Sequence, residues 1–78
     1  MKITVTKDDI VDGCQRSLKG CPIALALIRA HVNFHFVDKD AVIRVDATPI
    51  PLPECVRQFI RSFDAGHPVK PFTFTIPD

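Results

Sequence analysis

Apolar and polar residues alternate at the start of the chain, where Ile3 and Val5 are each set between polar neighbours. This period of two predicts a strand over residues 2–6 that buries one face. Thr6 comes next, and its hydroxyl can cap a short helical turn with acidic residues at its positive end. Gly13 stops that turn, so we expect a half-buried strand followed by a single turn of helix.

The next element is a run from Pro22 to Ala30 that is apolar nearly all round. Proline suits the first position of a helix because its missing N–H would have no intrahelical partner there. A helix without a polar face must be covered on two sides, so one side lies on the sheet and the other under a further layer. That layer is either the second helix or another copy of the chain, which is one argument for a homo-oligomer.

A hairpin and a stiff connector follow the first helix. Asn33 tolerates the left-handed conformation of a helix end, and alternation then predicts strands over residues 34–37 and 41–45. Residues 48–53 carry three prolines at alternate positions. This segment must therefore be extended and cannot be a central strand, and we interpret it as a connector.

The second helix is the most regular element of the chain. It opens at Pro53 and Glu54, repeats apolar residues at positions 56, 59, 60 and 63, and ends at Gly66. A closing strand over residues 72–76 completes the order β-α-β-β-α-β. We expect an α+β fold in which two helices pack on a small sheet, an order shared with the ferredoxin-like sandwich, with residues 1–78 as a single domain.

Composition restricts the classes of function. The 78 residues carry a net charge of +1, so no field exists that would hold a long polyanion, and nucleic acid is a disfavoured partner. No run reaches the length of a membrane span, no secretory signal is present, and the three cysteines form no disulfide framework, so we expect a cytoplasmic protein. A core of this size supplies only about 3–5 kcal/mol, which is a second argument for a homo-oligomer.

The start of the first helix is the candidate ligand site. Unpaired backbone N–H groups at a helix start, together with the helix dipole, favour an anion such as a nucleotide phosphate. The chain lacks the glycine-rich pattern of a phosphate loop, and a merely solvated loop is the alternative. The predicted cradle consists of Arg16, Ser17 and Lys19 before the helix and the backbone of Cys21, Ile23 and Ala24 at its start.

A second candidate is a basic patch on the polar face of the second helix. Arg57 and Arg61 lie one turn apart there and can meet an acidic protein or a phosphate. A face that is only solvated is the alternative. Phenylalanine pairs at 34/36 and 72/74 are typical of base-stacking sheets, but basic residues are sparse around them and core packing is favoured.

No catalytic or metal-binding set is recognisable in the sequence. Cys14 and Cys21 are too far apart for a close zinc-binding pair, and Cys55 stands alone. A thiol nucleophile at Cys21 would need a positioned base. His31 is interpreted as interacting with the terminal carbonyls of the first helix, His35 as a solvated surface residue and His67 as a turn residue. We therefore expect neither an enzyme nor a bound cofactor or metal.

Four segments carry a resemblance to a known family: ITVT at residues 3–6, CPIALAL at 21–27, FIRSFDAG at 59–66 and PVKPFTF at 68–74. Together they resemble small uncharacterised proteins encoded in bacteriophage and prophage genomes. The resemblance spans most of the chain and carries over no catalytic residue. It implies a setting in an infected host cell, where small proteins of this kind often block host defence by binding.

Two functional hypotheses follow. The first is a stoichiometric binding protein with a counter-defence role, which either inhibits a host immune protein or sequesters a nucleotide signal. The alternative is a nucleic-acid-binding accessory or regulatory factor that uses Arg57 and Arg61.

Overall fold

Three helices and five strands make up the computed structural model of the chain, which describes residues 1–77. The predicted α+β class is confirmed. The single domain predicted from the sequence covers residues 1–78, and residue 78 lies outside the described residues. The elements are β1 (Lys2–Val5), α1 (Lys7–Asp12), α2 (Pro22–Arg29), β2 (Phe36–Val37), β3 (Ala41–Ile43), β4 (Pro49–Pro51), α3 (Glu54–Asp64) and β5 (Phe72–Thr75).

The strands form two antiparallel sheets in place of the single sheet that the sequence predicts. β1 pairs with β5, with Ile3 opposite Phe74, while β2, β3 and β4 form a second sheet with β3 in its centre. A ferredoxin-like sandwich requires one continuous sheet, so the ferredoxin-like order is not confirmed. The first sheet thus joins the first and last strands of the chain, and the second joins the hairpin to the proline-rich strand.

The proline-rich segment is an edge strand as well as a connector. Ile50 lies opposite Val42 and is 4% exposed, with a proline on either side. Two hydrogen bonds flank this strand pair: the Leu52 N–H donates to the Asp40 C=O at 3.1 Å, and the Arg44 N–H donates to the Thr48 C=O at 3.0 Å. They show which residues of β4 face β3 with their N–H groups and which face away from it. They place the two proline nitrogens on the side away from β3, where no donor is needed, which confirms that the segment is not a central strand.

Helix α1 begins with a capping box and is tied to the rest of the fold by one arginine. The Thr6 hydroxyl accepts from the Asp9 N–H at 3.2 Å, and the Thr6 N–H donates to Asp9 Oδ2 at 2.9 Å. Arg29, in the last turn of α2, donates to both oxygens of the Asp9 carboxylate at 2.6 and 2.8 Å. It also donates to the Thr4 C=O at 2.6 Å, so one guanidinium joins α2, α1 and β1.

Helix α2 lies in the centre of the core. Ile23, Ala24 and Leu27 are each 0% exposed, and the helix packs on β1 on one side and on α1 on another. The prediction that this helix is covered on two sides is confirmed, but the further layer is α1, which the sequence predicts only as a turn. A second chain is therefore not required to cover the helix, whose outward residue Ile28 is 55% exposed.

The remaining core is closed by α3 and β5. Val56, Phe59 and Ile60 are the buried positions of α3. The Phe72 ring lies 4.8 Å from that of Phe59 and 5.7 Å from that of Phe74, so this phenylalanine pair packs in the core, as expected. Among residues 1–77, no helix has both the length and the apolar character needed to cross a bilayer.

Helices α2 and α3 end with the same turn. Both close with the pair of backbone hydrogen bonds of a Schellman motif, 2.9 to 3.0 Å long. The residue in the left-handed conformation is Gly66 after α3, with φ of +80°, and His31 after α2, with φ of +59°. Gly66 is the predicted stop, whereas Asn33, the residue that the sequence favours after the first helix, lies too late in the chain.

Candidate functional site

The start of α2, predicted as a phosphate cradle, is closed by its own side chains. Cys21 is the N-cap, and its Sγ accepts from the Ala24 N–H at 3.4 Å. Cys21 is 6% exposed, and Ile23 and Ala24 are 0% exposed, so their N–H groups do not face solvent as the sequence suggests. Burial raises the pKa of the Cys21 thiol, which keeps it protonated and disfavours it as a nucleophile.

The loop before α2 brings Arg16 and Ser17 together with Cys21 but leaves Lys19 outside. These three line a cavity of about 120 Å³ that also contains Asp38 and Asp64. The Arg16 N–H donates to Asp64 Oδ1 at 2.9 Å, and the Ser17 hydroxyl accepts from the Gly20 N–H at 2.9 Å. Two carboxylates, Asp38 and Asp64, and two cations, Arg16 and Lys39, line this small cavity, so it offers a phosphate no net positive charge.

The predicted basic patch on α3 is partly neutralised. Arg57 Nη2 lies 2.5 Å from Glu54 Oε2, and Arg61 Nη2 lies 3.3 Å from Glu54 Oε1. The hydrogen bond from Arg61, followed by the charge of Arg57, holds the pKa of the Glu54 carboxyl below its ordinary value. The two arginines therefore share one carboxylate, and the patch offers less positive charge than the sequence suggests.

A larger concavity lies at the other end of α2. We call it the α2–β2 groove; its volume is about 510 Å³. The polar side chains that line it are those of Lys19, His31, Asn33 and His35, and the apolar ones are those of Ile28, Val32, Phe34 and Val45. Lys19 is thus the residue of the predicted cradle that the fold assigns to a different site.

The backbone holds the wall of this groove in place. The Schellman turn at His31 directs the chain out of α2, and the Val32 N–H donates to the Leu27 C=O at 3.0 Å. At the far end of the loop, the His35 N–H donates to the Ile43 C=O at 2.7 Å, which anchors the loop to β3. The His35 ring packs edge-on against Phe36, with ring centroids 5.2 Å apart. The backbone positions of both histidines are therefore fixed by the fold.

The charge of the groove favours an anion. None of the eight lining residues is acidic. Within residues 1–77, the side chains of Lys19, His31, Asn33 and His35 make no hydrogen bond or ion pair with the protein, so their donors remain available to a ligand. A lysine, an amide and two imidazoles around an open volume are donors that suit a phosphate or a carboxylate.

The apolar walls of the groove call for an organic ligand. Ile28 is 55% exposed and Val45 is 73% exposed, and the two side chains line the same concavity. The half-buried Phe34 ring adds a flat surface to the same concavity. Apolar walls with a few convergent polar groups are typical of small-molecule sites.

The sequence reveals this site only weakly. His31 is predicted to interact with the terminal carbonyls of the first helix, but among residues 1–77 its side chain makes no such hydrogen bond. His35 is predicted as a surface residue, and no motif links either histidine to Lys19 or Val45. The one signal available in the sequence is a histidine, where glycine is usual, immediately after an apolar helix. A bulky residue in that position is a reason to look for a function nearby.

Metal chemistry finds no support in the described part of the chain. Among residues 1–77, no three side chains of histidine, cysteine, aspartate or glutamate lie close enough to hold a metal ion. Cys14, Cys21 and Cys55 are free thiols. No family model, curated protein or solved structure matches the chain.

Proposed function

We propose that this chain is a stoichiometric binding protein that holds a small nucleotide-type anion in the α2–β2 groove. The observation that carries the proposal is the pairing of apolar walls with unpaired donors in a concavity without a carboxylate. Its volume of about 510 Å³ falls within the roughly 300–1,000 Å³ of typical ligand pockets. A nucleotide offers a phosphate for Lys19 and the imidazoles and a flat base for Phe34 and the aliphatic walls.

Sequestration of a nucleotide signal is the version of the counter-defence hypothesis that the groove favours over direct inhibition of a host protein. The resemblance to phage proteins supplies the setting, the cytoplasm of an infected cell, and three free thiols agree with a reducing compartment. The nucleic-acid-binding alternative is weakened, because its two arginines share the Glu54 carboxylate. A protein that removes a signal by binding must act without turnover, which makes it a binding protein and not an enzyme.

A homo-oligomer remains part of the proposal on two grounds. The small core of a 78-residue chain gains stability from association. Val11 and Leu18, which are 70% and 54% exposed, also leave apolar surface outside the groove. Native mass spectrometry of the purified protein would report the number of subunits and the number of nucleotides bound to each assembly.

Calorimetric titration with AMP tests the site. We expect AMP to bind with one molecule per chain and to be recovered intact, and Lys19→Gln to weaken binding about tenfold through loss of a charge-assisted contact. The matched control is Lys39→Gln, which removes an exposed lysine beside the small cavity at the start of α2. It should leave the affinity unchanged.

Two outcomes would overturn the proposal. One is the absence of binding by AMP at millimolar concentration in low salt. The other is an equal loss of affinity in Lys19→Gln and Lys39→Gln, which would place the phosphate at the start of α2 or show that it binds non-specifically. Conversion of AMP to a product would replace the binding protein with an enzyme.

Replacing His31 with glycine separates stability from binding. The left-handed conformation destabilises the folded state by about 1–2 kcal/mol for an L-residue, and glycine avoids this cost. Glycine also makes the unfolded chain more flexible, which lowers the free energy of unfolding by about 0.5–1 kcal/mol. We therefore expect His31→Gly to raise the free energy of unfolding by about 0.5–1 kcal/mol in urea titrations, while it weakens AMP binding. Gly66→Ala, at the equivalent turn of α3, should lower stability by a similar amount and leave binding intact. A destabilised His31→Gly variant with full affinity would contradict both expectations.

A further inference from the structure

The α2–β2 groove does not end at the loop that forms its wall. A second cavity of about 240 Å³ shares His31, Val32 and Asn33 with the groove and is also lined by Arg44. A third and more open concavity, of about 360 Å³, shares Asn33 and Val45 with the groove and contains Arg44 as well. Segment 31–33 is therefore a ridge with a concavity on each side.

Arg44 is the cationic side chain of the second compartment, as Lys19 is of the first. Its backbone is held in a tight turn, since its N–H donates to the Thr48 C=O at 3.0 Å and its C=O accepts from the Ala47 N–H at 2.9 Å. Within residues 1–77, its guanidinium makes no hydrogen bond or ion pair. A planar guanidinium can donate two parallel hydrogen bonds to a phosphate, so an arginine without a hydrogen-bond partner on a fixed backbone suits a phosphate ligand.

Asp46 is the carboxylate nearest in sequence to this arginine, and it does not close the site. Its Oδ1 accepts from the Thr48 N–H at 3.0 Å, which commits that oxygen to the turn. Asp46 lines the open third concavity and is not among the residues that line the second one. Among residues 1–77, the lining of the second compartment includes no carboxylate, while hydrogen bonds from Thr48 and, to a smaller extent, the charge of Arg44 lower the pKa of Asp46 in the third concavity.

The floor of the second compartment is apolar. Ile50 and Ile76 are 4% and 6% exposed, and Val32 adds a further aliphatic wall. The compartment thus repeats the chemistry of the groove, with one cationic side chain above an apolar surface. Two such compartments on either side of one ridge suit a ligand in which an anionic group and an apolar group each occur twice.

We infer that the ligand is elongated and carries two phosphate groups, with Lys19 and the imidazoles binding one and Arg44 the other across the ridge of residues 31–33. A 5′-phosphorylated dinucleotide has this form, because its two phosphates alternate with two flat bases. This inference rests on the proposed function and adds the class of nucleotide to it.

The test compares three adenine ligands by calorimetry: AMP, the dinucleotide ApA, which lacks the terminal phosphate, and pApA, which carries it. We expect pApA to bind at least tenfold more tightly than either AMP or ApA. Arg44→Gln should remove that gain and change AMP affinity less than twofold, whereas Lys19→Gln should weaken AMP and pApA alike. The urea midpoint of Arg44→Gln should match that of the wild type, because the guanidinium makes no hydrogen bond or ion pair within residues 1–77.

The outcomes separate this inference from the proposal beneath it. Equal affinity for AMP and pApA, or an equal effect of Arg44→Gln on both, would overturn the second phosphate site and leave the groove as a mononucleotide site. Failure of all three ligands to bind would overturn the proposed function itself. Tight binding of ApA without the terminal phosphate would show that the second compartment takes a base alone, which also contradicts the inference.

Discussion

Leu27→Ala is expected to lower the free energy of unfolding by about 3–4 kcal/mol, enough to leave much of the protein unfolded at 25 °C. Leu27 is 0% exposed in the centre of α2, and its removal leaves a cavity that the surrounding helix and sheet cannot fill. A core of this size supplies only about 3–5 kcal/mol in total. Urea denaturation followed by far-ultraviolet circular dichroism measures the loss.

The matched control is the next residue along the same helix. Ile28 is 55% exposed, so Ile28→Ala should change stability by less than about 0.5 kcal/mol if the chain alone covers the helix. A loss at Ile28 as large as that at Leu27, and one that grows with protein concentration, would show that a second chain covers this face. Equal and small effects at both positions would contradict the burial of α2.

Arg29→Met is expected to cost about 2–3 kcal/mol at neutral pH. Asp9 is 5% exposed and receives two hydrogen bonds from Arg29, so the substitution leaves a buried carboxylate without its cation. Half of the Arg29 side chain is exposed, which keeps the cost below that of a fully buried pair. The control is Arg61→Met, whose exposed contact with Glu54 should contribute nothing measurable.

The same pair makes stability depend on pH in acid. The hydrogen bond from Arg29, with those from Thr6, lowers the pKa of Asp9 from its ordinary value of 3.8, against the opposing effect of burial. A carboxyl with a lowered pKa stabilises the fold fully above its ordinary value, and that contribution is lost as the pH falls through the folded-state pKa. Asp9→Asn should flatten this acid dependence, whereas an unchanged profile would show that the pair contributes no linkage.

Local patterns predicted most of the elements because their causes lie within a few residues. Pro22 begins α2 through its own geometry, and Gly66 ends α3 because only a residue that tolerates positive φ fits there. The capping box at Thr6 likewise depends on residues three positions apart. The hairpin strands are shorter than predicted, β2 covering only Phe36–Val37, because alternation does not reveal where pairing stops.

The candidate site could not be predicted in the same way. Lys19, the loop of residues 31–35 and Val45 come from three separate connections that meet only after folding. The helix start that did carry a local signal is closed by the Cys21 thiol and flanked by Asp64, a residue far along the chain. A backbone pattern predicts where N–H groups are unpaired, but not which side chains cover them.

The sequence by itself determined the α+β class, the position of the helices and the extended, edge-only character of the proline-rich segment, because dihedral preference and hydrophobic period act over short distances. Only the tertiary structure decided that the strands divide into two sheets, that α1 covers α2, and that the donors without partners gather beside Ile28 and Val45. Those outcomes depend on packing between residues distant in the chain, which no local preference specifies.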